Sequence, residues 1–505
     1  MSSTEERPSW TADVEAGLRE RAVRSGAATF AAQGVKFALQ LAATTVLARL
    51  LAPADFGLFA VAFAIVTFIS IFRDLGLSAA TVQRPTVTHG QLSTVFWINA
   101  AIGCGLAVVT AAVAQLTERI WDEPGLSGLL VTMAAAFPFI GLASQHYGLL
   151  VREMRFTALG VIEVSAVATG LGSGVGAASL GAGYWSLVVA YVTTELIVTC
   201  GVWLISDWRP GRPERGSDIR PWLGFGSYLT GFRLLFYFNH IFDNLLVGWS
   251  AGARKLGLYD RAYGLLLLPI NQFTTPLGSV ALATLSRLQL QPERYRLYLN
   301  RYLLVSVGLG MPLVAFLAVT ADTVVPLLLG SQWHGAVPIF QALAPAAFVF
   351  TFTAGVEWVF LSLGRMRRQL PWALVTTIVT VLSFLVGLRW GPVGVAAAFS
   401  TWRVAIAIPT LIFTCRGSFV PWGELLVTAL RPATAALGSA CALAAAEAWV
   451  LPDVHPVLQL ARDSVLYAGL YVGFWMALPG GRRVLREYVA AVRLLWERPA
   501  AAVVD

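Results

Sequence analysis

Apolar stretches follow one another along almost the whole chain, separated by short polar connectors. A helix rising 1.5 Å per residue needs about 20 predominantly apolar residues to cross the hydrocarbon layer of a bilayer. Fourteen stretches meet that need, at roughly 26–48, 55–72, 92–115, 126–150, 158–181, 183–205, 222–250, 260–283, 300–320, 335–362, 371–390, 392–415, 424–450 and 461–479. The fifth is rich in glycine, and Pro269, Asn271 and Pro276 interrupt the eighth. Interrupted helices are tolerated in a membrane where the freed backbone faces protein or a wet cavity. The pattern predicts an all-α polytopic membrane protein.

Composition strengthens this. Of 505 residues 57% are hydrophobic and 13% charged, with a mean hydropathy of +0.69, whereas a soluble domain has about 45–50% apolar and about 25% charged residues. The net charge of +8 comes from 34 Arg and 2 Lys. Most sit in connectors between apolar runs, which is a topology signal and not a phosphate-tracking surface, so no nucleic acid is expected. With the N-terminus in the cytoplasm, 25 of the 36 basic residues fall on the inner side. Six fall outside: Arg119, Arg254, Lys255, Arg261, Arg389 and Arg462. Both termini are therefore expected to be cytoplasmic, in the plasma (inner) membrane of a bacterium. Residues 1–24 are polar and lack the apolar run of a cleavable signal. Cys104, Cys200, Cys415 and Cys441 lie apart in apolar stretches, as small hydrophobes would, and no metal or cofactor is expected.

The longest inner connector, residues 206–221, carries four Arg and three Pro. It divides the chain into a cytoplasmic segment 1–24, a six-helix lobe 25–205, the linker 206–221 and a second six-helix lobe 222–415. Two further transmembrane helices (416–480) and a cytoplasmic amphipathic tail (481–505) follow. Phe56-Gly57-Leu58-Phe59 after the first stretch echoes Leu256-Gly257-Leu258-Tyr259 after the seventh. Six is even, so the halves enter the membrane from the same side and form a parallel pseudo-repeat.

Ionisable groups inside spans are expensive, about 2.5–3.5 kcal/mol on insertion scales, and are functional candidates for that reason. In the first stretch Gln33, Lys36, Gln40 and Thr44 share an arc of about 80°, a polar stripe. Arg233, Tyr237, His240 and Asn244 form another in the seventh, beside Asp243. Lys36 precedes Gly57 by 21 residues and Arg233 precedes Gly257 by 24, so each repeat opens with a cation on a polar face. Two such stripes facing each other line a hydrated cleft. The alternative is that Lys36 and Arg233 pair with acids such as Glu163 or Asp243 and set packing alone. Among the span acids Glu163, Glu195, Asp243, Glu357 and Glu447, the candidates for loading a proton or sodium ion are Asp243 first and Glu357 second. Arg403 and Arg431 are expected to meet structural partners. No phosphate loop, HExxH or GxSxG motif is present. The outer connectors are too short for a catalytic domain, which argues against an enzyme.

Several stretches carry a family resemblance: Leu51-Ala-Pro-Ala-Asp-Phe-Gly-Leu58, Asp74-Leu-Gly-Leu77 through Gln83-Arg84, and Arg152-Glu-Met-Arg-Phe156. Gly183-Tyr-Trp-Ser-Leu-Val188 and Leu256-Gly-Leu-Tyr-Asp-Arg-Ala-Tyr263 complete the set. In their order and spacing the chain resembles the polysaccharide transporter (oligosaccharide flippase) family of the multidrug/oligosaccharidyl-lipid/polysaccharide exporter superfamily, over about residues 25–420. The resemblance implies two six-helix lobes around a central cavity, two extra C-terminal helices and alternating access. It also implies an undecaprenyl-diphosphate-linked oligosaccharide as substrate for capsule, exopolysaccharide or O-antigen, with Lys36 and Arg233 placed to meet the diphosphate. Membrane lipid would hold the prenyl tail, H+ or Na+ is the candidate coupling ion, and a glycan polymerase with chain-length machinery would take the product. Competing readings are a lipid II flippase, a drug/cation antiporter, a polyprenyl-dependent glycosyltransferase or polymerase, and a non-transporting scaffold.

Overall fold

A computed structural model describes residues 33–482 apart from 75, 84–86, 215–229, 232, 450, 451, 453 and 480, and in addition Leu485 and Tyr488. The N-terminal segment, the start of the first predicted span, half of the linker and most of the amphipathic tail lie outside the described residues. Elsewhere a helix lies under each predicted stretch. These are α1 (33–50), α2 (Pro53–Ser70), α3 (His89–Trp121), α4 (Leu126–Arg152, kinked at Ala135), α5 (Phe156–Ser179) and α6 (Trp185–Ile205). The second half continues with α7 (233–251), α8 (253–287), α9 (Pro292–Val319), α10 (Val337–Ser362), α11 (Met366–Gly387) and α12 (Gly391–Cys415). The last two are α13 (Trp422–Trp449) and α14 (Pro456–Ala477). Short helices Leu77–Gln83, Ala321–Leu329 and Ser331–Ala336 lie between rods.

Glycines set the sharp turns. Gly252, at φ 79°, breaks α7 from α8 in a conformation that costs a side chain strain, whereas α8 runs unbroken through Pro269 and Pro276. The interruption predicted at those prolines inside the eighth stretch is absent; the break lies at Gly252, ahead of that stretch. Large apolar side chains such as Val108, Leu116, Val161, Val375, Leu382 and Val427 point outward, as lipid-facing positions do.

The parallel repeat is visible in backbone detail. α2 crosses α8 so closely that a Cβ on Gly57 would sit 1.6 Å from Ala253 O, and one on Gly257 would sit 1.8 Å from Pro53 O. The two contacts are the same contact made twice, 200 residues apart (57 to 257, 53 to 253). At the other end of the bundle α4 and α10 finish identically. Glu153 N bonds Leu149 O and Arg155 N bonds Leu150 O. Leu363 N bonds Val359 O and Arg365 N bonds Phe360 O, around left-handed Met154 and Gly364. α2 packs most densely on the α7–α8 rod, α3 on α4, α5 on α6, and α10 on α12, while α13 packs on α9. One core therefore joins both lobes across α2, α8 and α10, and a second attaches the C-terminal pair through α9.

Candidate functional site

The rods alternate in direction, so Arg73, Arg152, Arg287, Arg365 and Arg416 gather at one end of the bundle. One group of charged side chains within the rods stands out in each lobe. In the first lobe Lys36 Nζ lies 2.5 Å from Glu163 Oε2, and Tyr147 donates to Glu163 Oε1 at 2.8 Å. Both carboxylate oxygens are engaged, so Glu163 of α5 neutralises Lys36 and is itself held by Tyr147 of α4. Of the two sequence readings for Lys36, the ion pair with Glu163 is the one seen. The charge of Arg73, exposed beyond α2, reaches Tyr147, Tyr191 and Glu195 on the same side. Among the described residues Arg73 has no ion pair.

In the second lobe the central cation is Arg403. Its direction around α12 is that of the buried Ala396, Phe399 and Ala407, so it points inward, with its guanidinium 5.9 Å from the Phe399 ring. The expected structural partner is absent: among the described residues Arg403 has neither an ion pair nor a hydrogen bond. Its charge reaches Glu357 on α10, His240 on α7 and Tyr263 on α8. Glu357 is exposed to open space, and His240 is half-buried, with Nδ1 3.1 Å from Phe236 O and its ring stacked on Phe236 at 4.2 Å. Nearby, Asn239 donates to Thr377 and Trp402 to Thr380.

The remaining stripe residues divide. Gln33 borders a cavity of about 180 Å³ with Asn271, Gln272, Thr275 and Pro276 of α8. Gln40 is half-buried on the same helix. Arg233 does not pair with Asp243 but reaches across to the first lobe, with Nη1 2.9 Å from Asp74 Oδ1. Tyr237 is 2% exposed, its hydroxyl 3.3 Å from Ala64 O and its ring against Phe68, a lobe-to-lobe contact and not a cavity wall. Asp243 is 3% exposed, accepting from Tyr259 at 2.7 Å and from Asn244 N at 3.0 Å. Asn244 donates in turn to Asp260, which pairs with Arg261. With the 200-residue offset Gln33, Gln40 and Thr44 answer to Arg233, His240 and Asn244. Lys36, however, answers to Phe236. The polar stripes are equivalent; the two cations are not.

A family model described as "Polysaccharide biosynthesis protein" matches residues 46–338, more than half of the chain. The chain belongs to this polysaccharide biosynthesis family. It is 25% identical over 389 residues to the lipopolysaccharide biosynthesis protein WzxC of Escherichia coli K12, covering 76% of this chain and 78% of that protein. It is 24% identical over 405 residues to the succinoglycan biosynthesis transport protein ExoT of Rhizobium meliloti 1021, covering 79% and 81%. Among solved structures, the lipid II flippase MurJ in an inward closed conformation superposes with a TM-score of 0.73 at 14% identity, covering 90% of this chain and 98% of that one. That likeness shows the fold. Three of the five stretches that carry the resemblance, Leu51–Leu58, Asp74–Arg84 and Leu256–Tyr263, fall at the lobe junction. Phe56, Gly57, Gly257 and Tyr259 lie in the α2–α8 crossing, and Asp74 receives Arg233.

Arg403, Arg73, Glu195, Asp74 and Tyr147 escaped the stripe argument. For Arg403 a signal existed in the chain itself. A lone arginine sits in the middle of an apolar run, on the side shared by Ala396, Phe399 and Ala407.

Proposed function

We propose that the chain carries an undecaprenyl-diphosphate-linked oligosaccharide from the cytoplasmic to the outer face of a bacterial inner membrane by alternating access between its two lobes. Arg403 is the observation that carries this reading. An arginine inside a span is expensive unless paired, and this one lies on the buried side of α12 over Phe399, with no ion pair or hydrogen bond among the described residues. A diphosphate bears about two negative charges and matches the forked donors of a guanidinium. Arg73 supplies a second guanidinium from the first lobe, without an ion pair among the described residues. Lys36, neutralised by Glu163, offers with Tyr147 a polar surface of no net charge, suited to sugar hydroxyls. The names of WzxC and ExoT, both proteins of polysaccharide biosynthesis, support a glycan cargo.

Of the two acids proposed for ion coupling, Glu357 fits better. It is exposed and feels the charge of Arg403 without pairing with it, so an arriving anion that neutralised Arg403 would leave Glu357 readier to take a cation or proton. Asp243 has both oxygens bonded and serves the α7–α8 joint. The arginine-rich end is assigned to the cytoplasm by the positive-inside rule. The test is translocation of fluorescent lipid-linked oligosaccharide in vesicles holding the wild type, Arg403→Gln or Glu357→Gln. Transport by Arg403→Gln at the wild-type rate would remove the anion from this site.

A further inference from the structure

At the end of the bundle away from the arginine cluster, the two lobes complete each other's helix ends. Every α-helix leaves its last carbonyls and first N–H groups without intrahelical partners. The chain turns out of α1 at Leu51, and the second lobe caps that end. Gln332 Nε2 donates to Ala48 O at 2.6 Å and to Leu51 O at 3.1 Å, and Trp333 Nε1 donates to Ala48 O at 2.8 Å. In the other direction Arg49 of α1 donates to Leu327 O at 2.8 Å, near the end of the helix Ala321–Leu329. Glu123, between α3 and α4, accepts from Ala253 N at the start of α8 at 2.7 Å. Between these caps lies the Gly57–Gly257 crossing, backbone against backbone.

We infer that this reciprocal exchange of helix caps is the gate closing one mouth of the cavity, and that it opens by trading protein donors and acceptors for water. The inference rests on the two-sided carrier reading above. If the lobes part here, the carbonyls of Ala48, Leu51 and Leu327 and the N–H of Ala253 all meet solvent, which satisfies them as the partner lobe did. The glycine crossing separates without a side chain to extract. Trp333, fully buried with its ring centroid 5.3 Å from that of Phe56 in a T-shaped contact, is the apolar piece that must come out. The contact holding the lobes at the arginine-rich end is different in kind, an ion pair between Arg233 and Asp74. The gates at the two ends are thus opened by different perturbations.

Spin labels on cysteines at Asp122 and Ser331, both exposed and on opposite lobes, report the separation by pulsed dipolar spectroscopy. The protein is full length, in nanodiscs, with the four native cysteines replaced. Gln332→Ala removes two of the caps and should raise the open-to-closed ratio about tenfold or more, at about fivefold per lost bond. Gln332→Glu, of the same shape but without donors, should do the same. Gln341→Ala, whose side chain bonds Asp322 within the second lobe, should leave the ratio unchanged. Equal distance distributions in the wild type and both Gln332 variants would overturn the gate, as would an equal shift by Gln341→Ala. Translocation is scored separately. Distances that shift in a protein that moves no lipid-linked glycan leave the gate and sink the carrier, and transport with unresponsive distances does the reverse.

Discussion

Replacing Lys36 by Met tests whether this lysine belongs to the fold or to the cargo. The Lys36 and Glu163 side chains are 16% and 30% exposed and 2.5 Å apart. An exposed pair is worth about 0–1 kcal/mol and breaking a fully buried one costs about 3–5 kcal/mol. Partial burial places this pair between them, at about 2 kcal/mol, because Tyr147 still donates to the stranded carboxylate. Glu163→Gln leaves an amide that keeps the tyrosine bond and no longer needs the cation. Combining Lys36→Met with Glu163→Gln should therefore recover most of the loss, with a coupling of about 1–2 kcal/mol between the two sites. Reversible unfolding in mixed micelles measures all four corners of the cycle. Additivity of the two single changes within about 0.5 kcal/mol would refute the pairing. So would a Lys36→Met protein of full stability that has lost transport, since that result would make Lys36 a ligand of the cargo.

Three further outcomes follow from the geometry. Asp74→Asn and Arg233→Gln should each loosen the arginine-rich end, raising labelling of cavity cysteines from that side, and the exchange Asp74→Arg with Arg233→Asp should restore the wild-type pattern. Gly57→Ala forces a Cβ onto Ala253 O and should cost about 1–3 kcal/mol of stability, read as lowered thermal midpoint, while Gly105→Ala, with nothing within 4 Å, should cost nothing. A cysteine at Asp122 should react with an impermeant maleimide from outside intact cells and a tag on either terminus should not; the opposite labelling would reverse the assigned orientation.

The spans were legible because hydropathy is a property of composition along the chain, and each predicted stretch has its helix. The repeat was legible from two glycines, since only glycine permits the backbone approach made at Gly57 and Gly257. The site was legible only in part. A stripe on α1 or α7 states which residues share a face, not which neighbour that face meets. Tyr237 thus turned out to pack on Phe68, and Arg233 to reach Asp74, 159 positions away. Arg403 was expected to meet a structural partner, because a single charge in an apolar run has no periodic company. Its inward direction shows only once Ala396, Phe399 and Ala407 are seen to be buried around it.

The carrier reading depends most directly on that arginine. In vesicles, with translocation of fluorescent lipid-linked oligosaccharide measured beside thermal stability, Arg403→Gln should slow transport at least about tenfold, the loss of one charge-assisted hydrogen bond of about 1.5–3 kcal/mol. Its thermal midpoint should be unchanged or raised, because among the described residues no carboxylate within ion-pair distance is stranded. Arg403→Lys should keep part of the rate, having the charge without the fork. A wild-type rate in Arg403→Gln, or a collapse in stability that fully accounts for its lost transport, would contradict the account.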